Sequence, residues 1–537
     1  MALPAGDMGL PTGKEKAMHG GFDRRQLLAG MGLLAATPLW AQRMPPKIRA
    51  FPFTLGVAAG DPDPTGFVIW TRLVPEPGEP LSGLEPFPYP LRWEVAEDEG
   101  FSRIAAAGET LARPELGFSA HVTVSGLRPE RPYHYRFRSG DMLSATGRAR
   151  TMPLAGADVR QVRLAVGGCQ EYQGGLYTAW GDVAKADVDA IFHYGDYIYE
   201  GGPVASRMNW STGQMESTVR LHDGPMIFSL DDYRRRYTLT RRDEDLQAAH
   251  ASAAFLCSFD DHELVNNWVG DVDQAETPAE VFRLRRQAAM QAWYEFMPVR
   301  ADALPVNGVS GPYRQYRFGR LLDARMLNTR NWRTDQPCGD KYGSFCPEVN
   351  RKDAEVLGRQ QEEWLVKGLK ADPARWNALL QQIMVMDLDR ARAETKTINT
   401  DSWAAYAVPR DRLLDGLKGV PNLVVLTGDE HQHFAGEVRK TGEAPEAPAR
   451  AIEFVTTSIS SGSDGPGERK EHAAFLSRNP GLKYIRDERG YSLMTVTPDG
   501  WTADLKVVDS IRRTGGKVST AASWRVPAGV ARLERAG

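Results

Sequence analysis

The stretch IFHYGDYIYE, residues 191–200, runs from a short apolar segment into Gly195, Asp196, two tyrosines and Glu200. A brief apolar run bounded by glycine and acids reads as a buried strand that ends in a polar loop. Three other segments have the same form. VRLAVGGC (162–169) ends on Cys169 and Gln170, and AAFLCSFDD (253–261) leads into His262 and Glu263. NLVVLTGD (422–429) leads into Glu430, His431, Gln432 and His433. In open α/β sheets, ligands collect outside the carboxyl ends of the strands. One such ending is an ordinary solvent-facing turn. Four of them, supplying a thiolate, carboxylates, a phenol and imidazoles, point to one polynuclear metal centre.

Between these strands lie segments of helical character, such as GGLYTAWGDVAKA (174–186) and DAEVLGRQQEEWLVKGL (353–369). In the second, Val356, Leu357, Trp364, Leu365 and Leu369 recur at near-helical spacing among charged neighbours. Alternating strands and helices predict α/β layers. DDYRRRYTLTRRDED (231–245) is strongly charged and reads as a solvated helix and loop.

Toward the N-terminus the texture changes. TGFVIWTRL (65–73), LRWEVAE (91–97), FSAHVTVSGL (118–127) and PYHYRFRSG (132–140) are short β-rich runs separated by turns. LRPERPYHYRFRSGD (127–141) resembles the proline-marked corner and tyrosine strand of immunoglobulin and fibronectin type III sandwiches. A β-sandwich over residues 46–155, with TMPLAGAD (151–158) as linker, is the economical reading.

FDRRQLLAGMGLLAATPLWAQ (22–42) places Arg24 and Arg25 before an apolar run and small residues, the pattern of a cleaved export signal over residues 1–42. The run is shorter than the roughly 20 apolar residues that span a bilayer. Its twin arginines point to the Tat route and a periplasmic or secreted destination. Met18 would give a compact signal, with residues 1–17 as an upstream extension.

A chain of 537 residues with 42% hydrophobic and 25% charged residues is ordinary globular material. A net charge of -3 offers no global attraction to nucleic acid. Four cysteines are too few for a disulfide framework. Cys338 and Cys346 share the loop CGDKYGSFC and are expected to pair after export, whereas Cys257 reads as a core residue and Cys169 as an unpaired ligand.

Phenolate and carboxylate are hard donors that suit trivalent iron, and the remaining carboxylates suit calcium, magnesium or manganese. No CxxC or CxxH pair supports a zinc finger, and no GxSxG supports a serine hydrolase. SGSDGPG (461–467) lacks the lysine of a P-loop.

GDYIYE (195–200), DDHELVNNW (260–268), NTRNWR (328–333) and LTGDEH (426–431), in this order, resemble the PhoD-type alkaline phosphatases and phosphodiesterases of the metallophosphoesterase superfamily. FTLGVAAGDPDPTGFVIWTRL (53–73) resembles that family's N-terminal sandwich, and GRQQEEWL, DSWAAY and FVTTSISSGS extend the likeness over most of the chain. The resemblance implies a layered β-sandwich metallophosphoesterase core flanked by helices over residues 160–525, behind the all-β domain. It implies a secreted phosphoric ester hydrolase that uses a metal-bound hydroxide on mono- or diesters. It implies ferric iron and calcium, with Cys169, Asp196 and Tyr199 on or near the iron and Asp196 bridging. Asp261 would stand where the superfamily's GNHE motif has asparagine, and Asp429 and His431 where its GHxH motif has ligands.

His262 is then a proton-transfer candidate or a structural histidine, and Arg330 a phosphoryl clamp or a surface ion pair. His433 is a further ligand or, on the favoured reading, a loop side chain. His193 and Tyr194 are packing residues. Asn328 replaces the aspartate of the family's DTR segment, and Gln381 and Gln382 stand near its Asn-Gln pair. The alternatives are a phospholipase D-like phosphodiesterase on the same scaffold and a non-catalytic surface-binding protein. The expected partners are a phosphoester and the Tat machinery, with no transmembrane segment in the mature chain.

Overall fold

Short apolar runs buried on both faces must be covered by a layer on each side. The computed structural model describes residues 45–536 except 210, 311, 312, 342, 344, 392 and 393. Arg24, Arg25 and the whole signal region lie outside the described residues.

The chain first lays down β1 (Val57–Asp63), β2 (Gly66–Arg72), β3 (Tyr89–Ala96), β4 (Ile104–Ala112), β5 (Ser119–Val124), β6 (Pro132–Ser139), β7 (Met142–Leu143) and β8 (Gly147–Arg150). β9 (Val162–Gly167), β10 (Ala190–His193), the hairpin β11 (Ser206–Asn209) and β12 (Gln214–Ser217), and β13 (Ala254–Cys257) follow. Next come β14 (Arg314–Phe318), β15 (Leu322–Met326), β16 (Trp376–Leu380), β17 (Leu423–Thr427), β18 (His433–Val438), β19 (Ala451–Val455) and β20 (Leu482–Arg486). β21 (Gly490–Thr497), β22 (Gly500–Val508), β23 (Val518–Pro527) and β24 (Glu534–Arg535) close the chain.

Two large sheets result. The ten-stranded sheet runs β24-β23-β22-β21-β9-β10-β13-β1-β2-β5, and the seven-stranded sheet runs β14-β15-β16-β17-β19-β18-β20. Alternation along each strand decides what it touches. Leu164, Val166, Phe192 and Met494 of the first sheet meet Leu380, Leu426 and Phe454 of the second. The opposite face of the first sheet, including Ile191 and Phe255, packs under Trp180, Tyr237 and Trp293. Leu379 and Val425 of the second pack under Leu365 and Leu413. Helix, sheet, sheet and helix therefore form four layers, as expected.

The parallel register sets the position of the functional site. Ile191 of β10 lies opposite Ala165 of β9 and Phe255 of β13, all parallel. β15, β16, β17 and β19 are likewise parallel. The carboxyl ends of the central strands in each sheet are thus brought to one edge.

The N-terminal strands do form a sandwich. Phe67 and Ile69 of one sheet pack on Leu91, Val95, Tyr135 and Phe137 of the five-stranded sheet β4-β3-β6-β7, with β8 on β6. The Tyr133 hydroxyl accepts the Arg128 backbone N–H at 3.0 Å, as a tyrosine corner does. Yet β1 pairs in parallel with β13, Ala59 opposite Ala254, so one sheet of the sandwich continues the core sheet. Ile48–Gly537 accordingly forms one compact unit.

Two local expectations are corrected. The charged 231–245 segment overlaps the helix Leu230–Arg241, with a Ser229–Asp232 capping box, and one face of that helix is buried rather than solvated. Arg236 and Arg241 are fully buried, because Arg236 reaches the carbonyls of Tyr199 and Gly201 while Arg241 lies over the Trp70 ring. His433 is not a loop residue: it opens β18, fully buried, with Nε2 3.0 Å from the Lys506 carbonyl.

Candidate metal centre

Three of the four predicted strand ends turn through left-handed residues. Cys169, Asp196, Asp429 and His431 all have left-handed φ, at 48°, 56°, 66° and 54°. Such conformations cost non-glycine residues energy and concentrate at functional sites. The turn at Asp196 depends on Gly195, at φ 128°, where a Cβ would stand 2.5 Å from the Asp260 nitrogen. Only a glycine lets the ends of β10 and β13 approach so closely.

Glu263 pins this approach. Its buried carboxylate accepts the N–H groups of Asp196 (3.0 Å), Tyr197 (2.6 Å) and Asp260 (2.8 Å). The Cys169 and Gln170 N–H groups donate to the carbonyls of Gly195 and Asp196, each at 2.9 Å, carrying the β9–β10 pairing into the loops.

The turns bring three groups of ligand atoms within 4.8 Å of one another: Cys169, Asp196 and His431; Asp196, Asp261 and His262; and Asp260, Asp261 and Asp429. Tyr199 joins the first. Its hydroxyl donates to Asp196 Oδ2 at 2.8 Å and lies 3.5 Å from His431 Nε2. Ser461 Oγ is 2.7 Å from both the Tyr199 hydroxyl and the Cys169 carbonyl. Tyr197 turns the other way, into the core beneath the helices, where its hydroxyl is 2.9 Å from His250 Nε2.

His262 stacks on the Tyr199 ring at 4.1 Å between centroids, and its Nδ1 lies 2.7 Å from Glu200 Oε2. Arg330 is fully buried. Its Nε donates to Asp260 at 2.6 Å, its two terminal nitrogens donate to Asp401 at 3.1 and 2.7 Å, and Asp261 Oδ1 is 3.6 Å away. Asn328 shapes the turn, its Oδ1 accepting the N–H groups of Arg330 and Asn331. Gln382 ties the sheets together, accepting from Thr329 and donating to Ser258 Oγ at 2.6 Å, while Gln381 accepts the Trp403 indole N–H. His193 stacks on Trp180, and the Tyr194 hydroxyl donates to the Thr457 carbonyl.

The electrostatics favour cations here. Burial, reinforced by neighbouring carboxylates, pushes Asp196, Asp429, the Cys169 thiol and the Tyr199 phenol well above their ordinary values. Burial also raises Asp260 to about 7 against the opposing charge of Arg330. Burial opposes ionisation of Asp261, but His262, Arg330 and the Asn267 N–H outweigh it and hold that group low. Burial holds His431 neutral, at about 3, which suits a ligand. For His262 burial acts downward, but Glu200, Asp261 and Asp196 overcome it and favour the imidazolium. Asp260 Oδ2 and Asp261 Oδ1 are buried without a hydrogen-bond partner among the described residues. Packed acids, two unpartnered carboxylate oxygens and a mixed O, N and S donor set fit multivalent cations.

Glu200, Asp401 and Ser461 were not singled out as site residues in the sequence. Glu200 closes the quoted stretch and Asp401 opens DSWAAY, but nothing local marks either as a partner of His262 or Arg330.

Residues 164–505 match the PhoD-like phosphatase family, and residues 39–153 match the PhoD-like phosphatase N-terminal domain. The chain is 37% identical over 523 residues to alkaline phosphatase D of Bacillus subtilis (strain 168), covering 95% of this chain and 88% of the relative. A solved structure of PhoD superposes with a TM-score of 0.88 at 38% identity, over 92% of this chain and 93% of that one. The purple acid phosphatase PPD1 from yellow lupin seeds shares the fold, with a TM-score of 0.53 at 11% identity over 90% of this chain and 75% of that one.

Proposed function

The chain belongs to the PhoD-like phosphatase family and is a metal-dependent phosphoric ester hydrolase; from this premise we propose an exported alkaline phosphatase or phosphodiesterase with an iron–calcium centre. The observation that carries the metal assignment is the convergence of Cys169, Asp196, Tyr199 and His431 beside Asp260, Asp261 and Asp429. The thiolate, phenolate and imidazole suit ferric iron, and the all-carboxylate group suits calcium. Asp196 and Asp261 lie between the two groups.

When bound, the metals supply Lewis acidity toward the phosphoryl oxygens and lower the pKa of water. The protein's own groups do the rest. Asp196 and Asp261 fix the centre, and Glu263 holds the two loops that carry them. His262, oriented by Glu200 and by the Tyr199 ring, holds a proton for the departing ester oxygen. Arg330 takes a positioning role rather than that of a phosphoryl clamp, since its guanidinium is engaged on both edges by Asp260 and Asp401.

The proposal includes Tat export to the periplasm or beyond. It rests on Arg24 and Arg25 ahead of the apolar run. No helix of the described residues is long and apolar enough to cross a membrane.

Tyr199→Phe is the test, with Tyr197→Phe as control. Ferric phenolate gives a visible charge-transfer band, so the isolated enzyme is expected to be coloured and to contain iron. Tyr199→Phe should lose or strongly shift the band and lose most activity on a panel of phosphomonoesters and diesters. Tyr197→Phe should keep the colour. Iron content, colour and hydrolysis that all survive in Tyr199→Phe would exclude Tyr199 as a ligand.

A further inference from the structure

Ser461 touches the Tyr199 phenol, yet nothing in the function proposed above makes use of it. It lies in the loop that follows β19 and is only 2% exposed. Its Oγ stands 2.7 Å from the Tyr199 hydroxyl, 2.7 Å from the Cys169 carbonyl oxygen and 3.3 Å from the Glu171 nitrogen. A hydroxyl carries a single proton, so it serves only one of the two oxygens at a time.

The Cys169 carbonyl does not depend on that proton. The backbone N–H groups of Ser460 and Ser461 already reach it, at 3.4 and 3.2 Å. The Glu171 N–H donates to Ser461 Oγ and occupies a lone pair, which leaves the hydroxyl proton for an acceptor. Tyr199 sends its own proton to Asp196 Oδ2, at 2.8 Å, and turns its oxygen to Ser461 as an acceptor. As a phenolate that oxygen carries a negative charge, and hydrogen bonds to ionised groups are roughly twice as strong as neutral ones. The Ser461 proton therefore belongs on Tyr199.

The loop holds this hydroxyl in place. Ser458 Oγ donates to the Ser461 carbonyl at 2.7 Å, and Arg489 donates to the same oxygen while pairing with Asp487. Gly462 follows at φ +90°, and a Cβ there would stand 2.6 Å from Arg489 Nη1. The left-handed turn and the close guanidinium both require a glycine. Tyr199 is held separately, its ring stacked on His262 and its carbonyl bonded by Arg236. Loss of the Ser461 hydroxyl thus leaves the ring where it is and changes only what its oxygen feels.

We propose that Ser461 is a positioning residue for the metal-binding phenolate: its hydroxyl donates to the Tyr199 oxygen, orients it beside Asp196 and His431, and draws electron density from it. The proposal rests on the reading of Tyr199 as an iron ligand. Groups that hydrogen-bond to a metal ligand fix its orientation and tune the metal. A phenolate without its donor gives up electron density more readily, so its charge-transfer band moves to longer wavelength.

Iron content per chain and the visible spectrum of the purified holoenzyme test this, comparing wild type with Ser461→Ala and Ser461→Thr. Ser461→Ala should retain iron with its band shifted to longer wavelength, and Ser461→Thr, which keeps the hydroxyl, should show the wild-type band. An unchanged band in iron-loaded Ser461→Ala, or a shift to shorter wavelength, would overturn the proposal and leave Tyr199 as a ligand. The same shift in Ser461→Thr would assign the effect to the loop instead of the hydroxyl, and would also overturn it. Should the alanine variant fail to fold or to hold iron, Ser461→Thr alone decides: the wild-type band supports the donated hydrogen bond, and a shifted or missing band rejects it. A wild-type enzyme that lacks iron or the band, or a band that survives Tyr199→Phe, would instead remove the ligand reading itself and this proposal with it.

Discussion

Replacing Arg330 by methionine removes a cation from beneath the acidic corner while keeping most of its volume. The change leaves Asp260 and Asp401, at 1% and 3% exposure, without the guanidinium that meets both. Deleting one partner of a buried ion pair costs about 3–5 kcal/mol, and a volume-conserving swap adds less than about 1.5 kcal/mol. The loss should depend on pH in a stated direction. Asp260 already stands at about 7, above the unfolded value of about 3.9, and removing Arg330 raises it further. The folded variant then binds a proton that the unfolded chain does not, so its stability is lost as pH rises through the folded value. Urea melts of chelator-treated protein at about pH 6 and about pH 8.5 should show the larger deficit at the higher pH. Arg330→Met combined with Asp401→Asn should fall short of additivity by about 1–3 kcal/mol, because the two share one contact. A deficit below about 1 kcal/mol at both pH values, or one that does not change between them, would refute the account of Arg330 as a buried counter-ion.

Replacing Arg24 and Arg25 by lysine should leave precursor in the cytoplasm; fractionation showing normal export would count against the twin-arginine route. His121 and His433 are held neutral by burial, each at about 4 against an ordinary value near 6.5. The unfolded chain takes up protons that the native state refuses, so stability present above about pH 6.5 is lost toward pH 4, by up to about 3 kcal/mol per residue. His121→Gln and His433→Gln should each flatten the acid limb of a melting-temperature profile, and an unchanged limb would remove that histidine from the account. The Cys338–Cys346 disulfide is formed and closes a short loop. Replacing both cysteines by serine should cost about 2–3 kcal/mol, read by thermal melts, and a loss above that range would show that the loop does more than restrict the unfolded chain. Asp340 within it accepts from Asn267 Nδ2 at 3.1 Å, and the Asn267 N–H donates to Asp261 at 2.7 Å, so metal retention is the companion measurement.

The strand ends were legible in the sequence because each couples an apolar run to a cluster of donors within a few residues, three of the four through a glycine. Cys169, Asp196, Asp261, Asp429 and His431 are therefore found together in space, as the four endings suggested. What escaped depends on partners far along the chain. The charges of 231–245 read as solvated, yet Arg236 is long enough to bury its stem and reach the carbonyls of Tyr199 and Gly201. His433 read as a loop residue because it follows four polar residues, whereas its surroundings are set by Lys506 and Thr457. Arg330 carried no sign of Asp401, and the parallel join of β1 to β13 has no local signature at all.

The order of the ten-stranded sheet has a consequence for how the protein is made. β9 lies between β10 and β21, and Val166 is opposite Ser492. A ribosome adds about 5–20 residues per second, so β9 waits on the order of tens of seconds before its neighbour emerges. During that interval one edge of β9 has no strand to bond, and such edges invite pairing with other chains. The sheet therefore closes only when synthesis is nearly over, and chains cut off before β21 should collect as aggregates rather than as partly active enzyme.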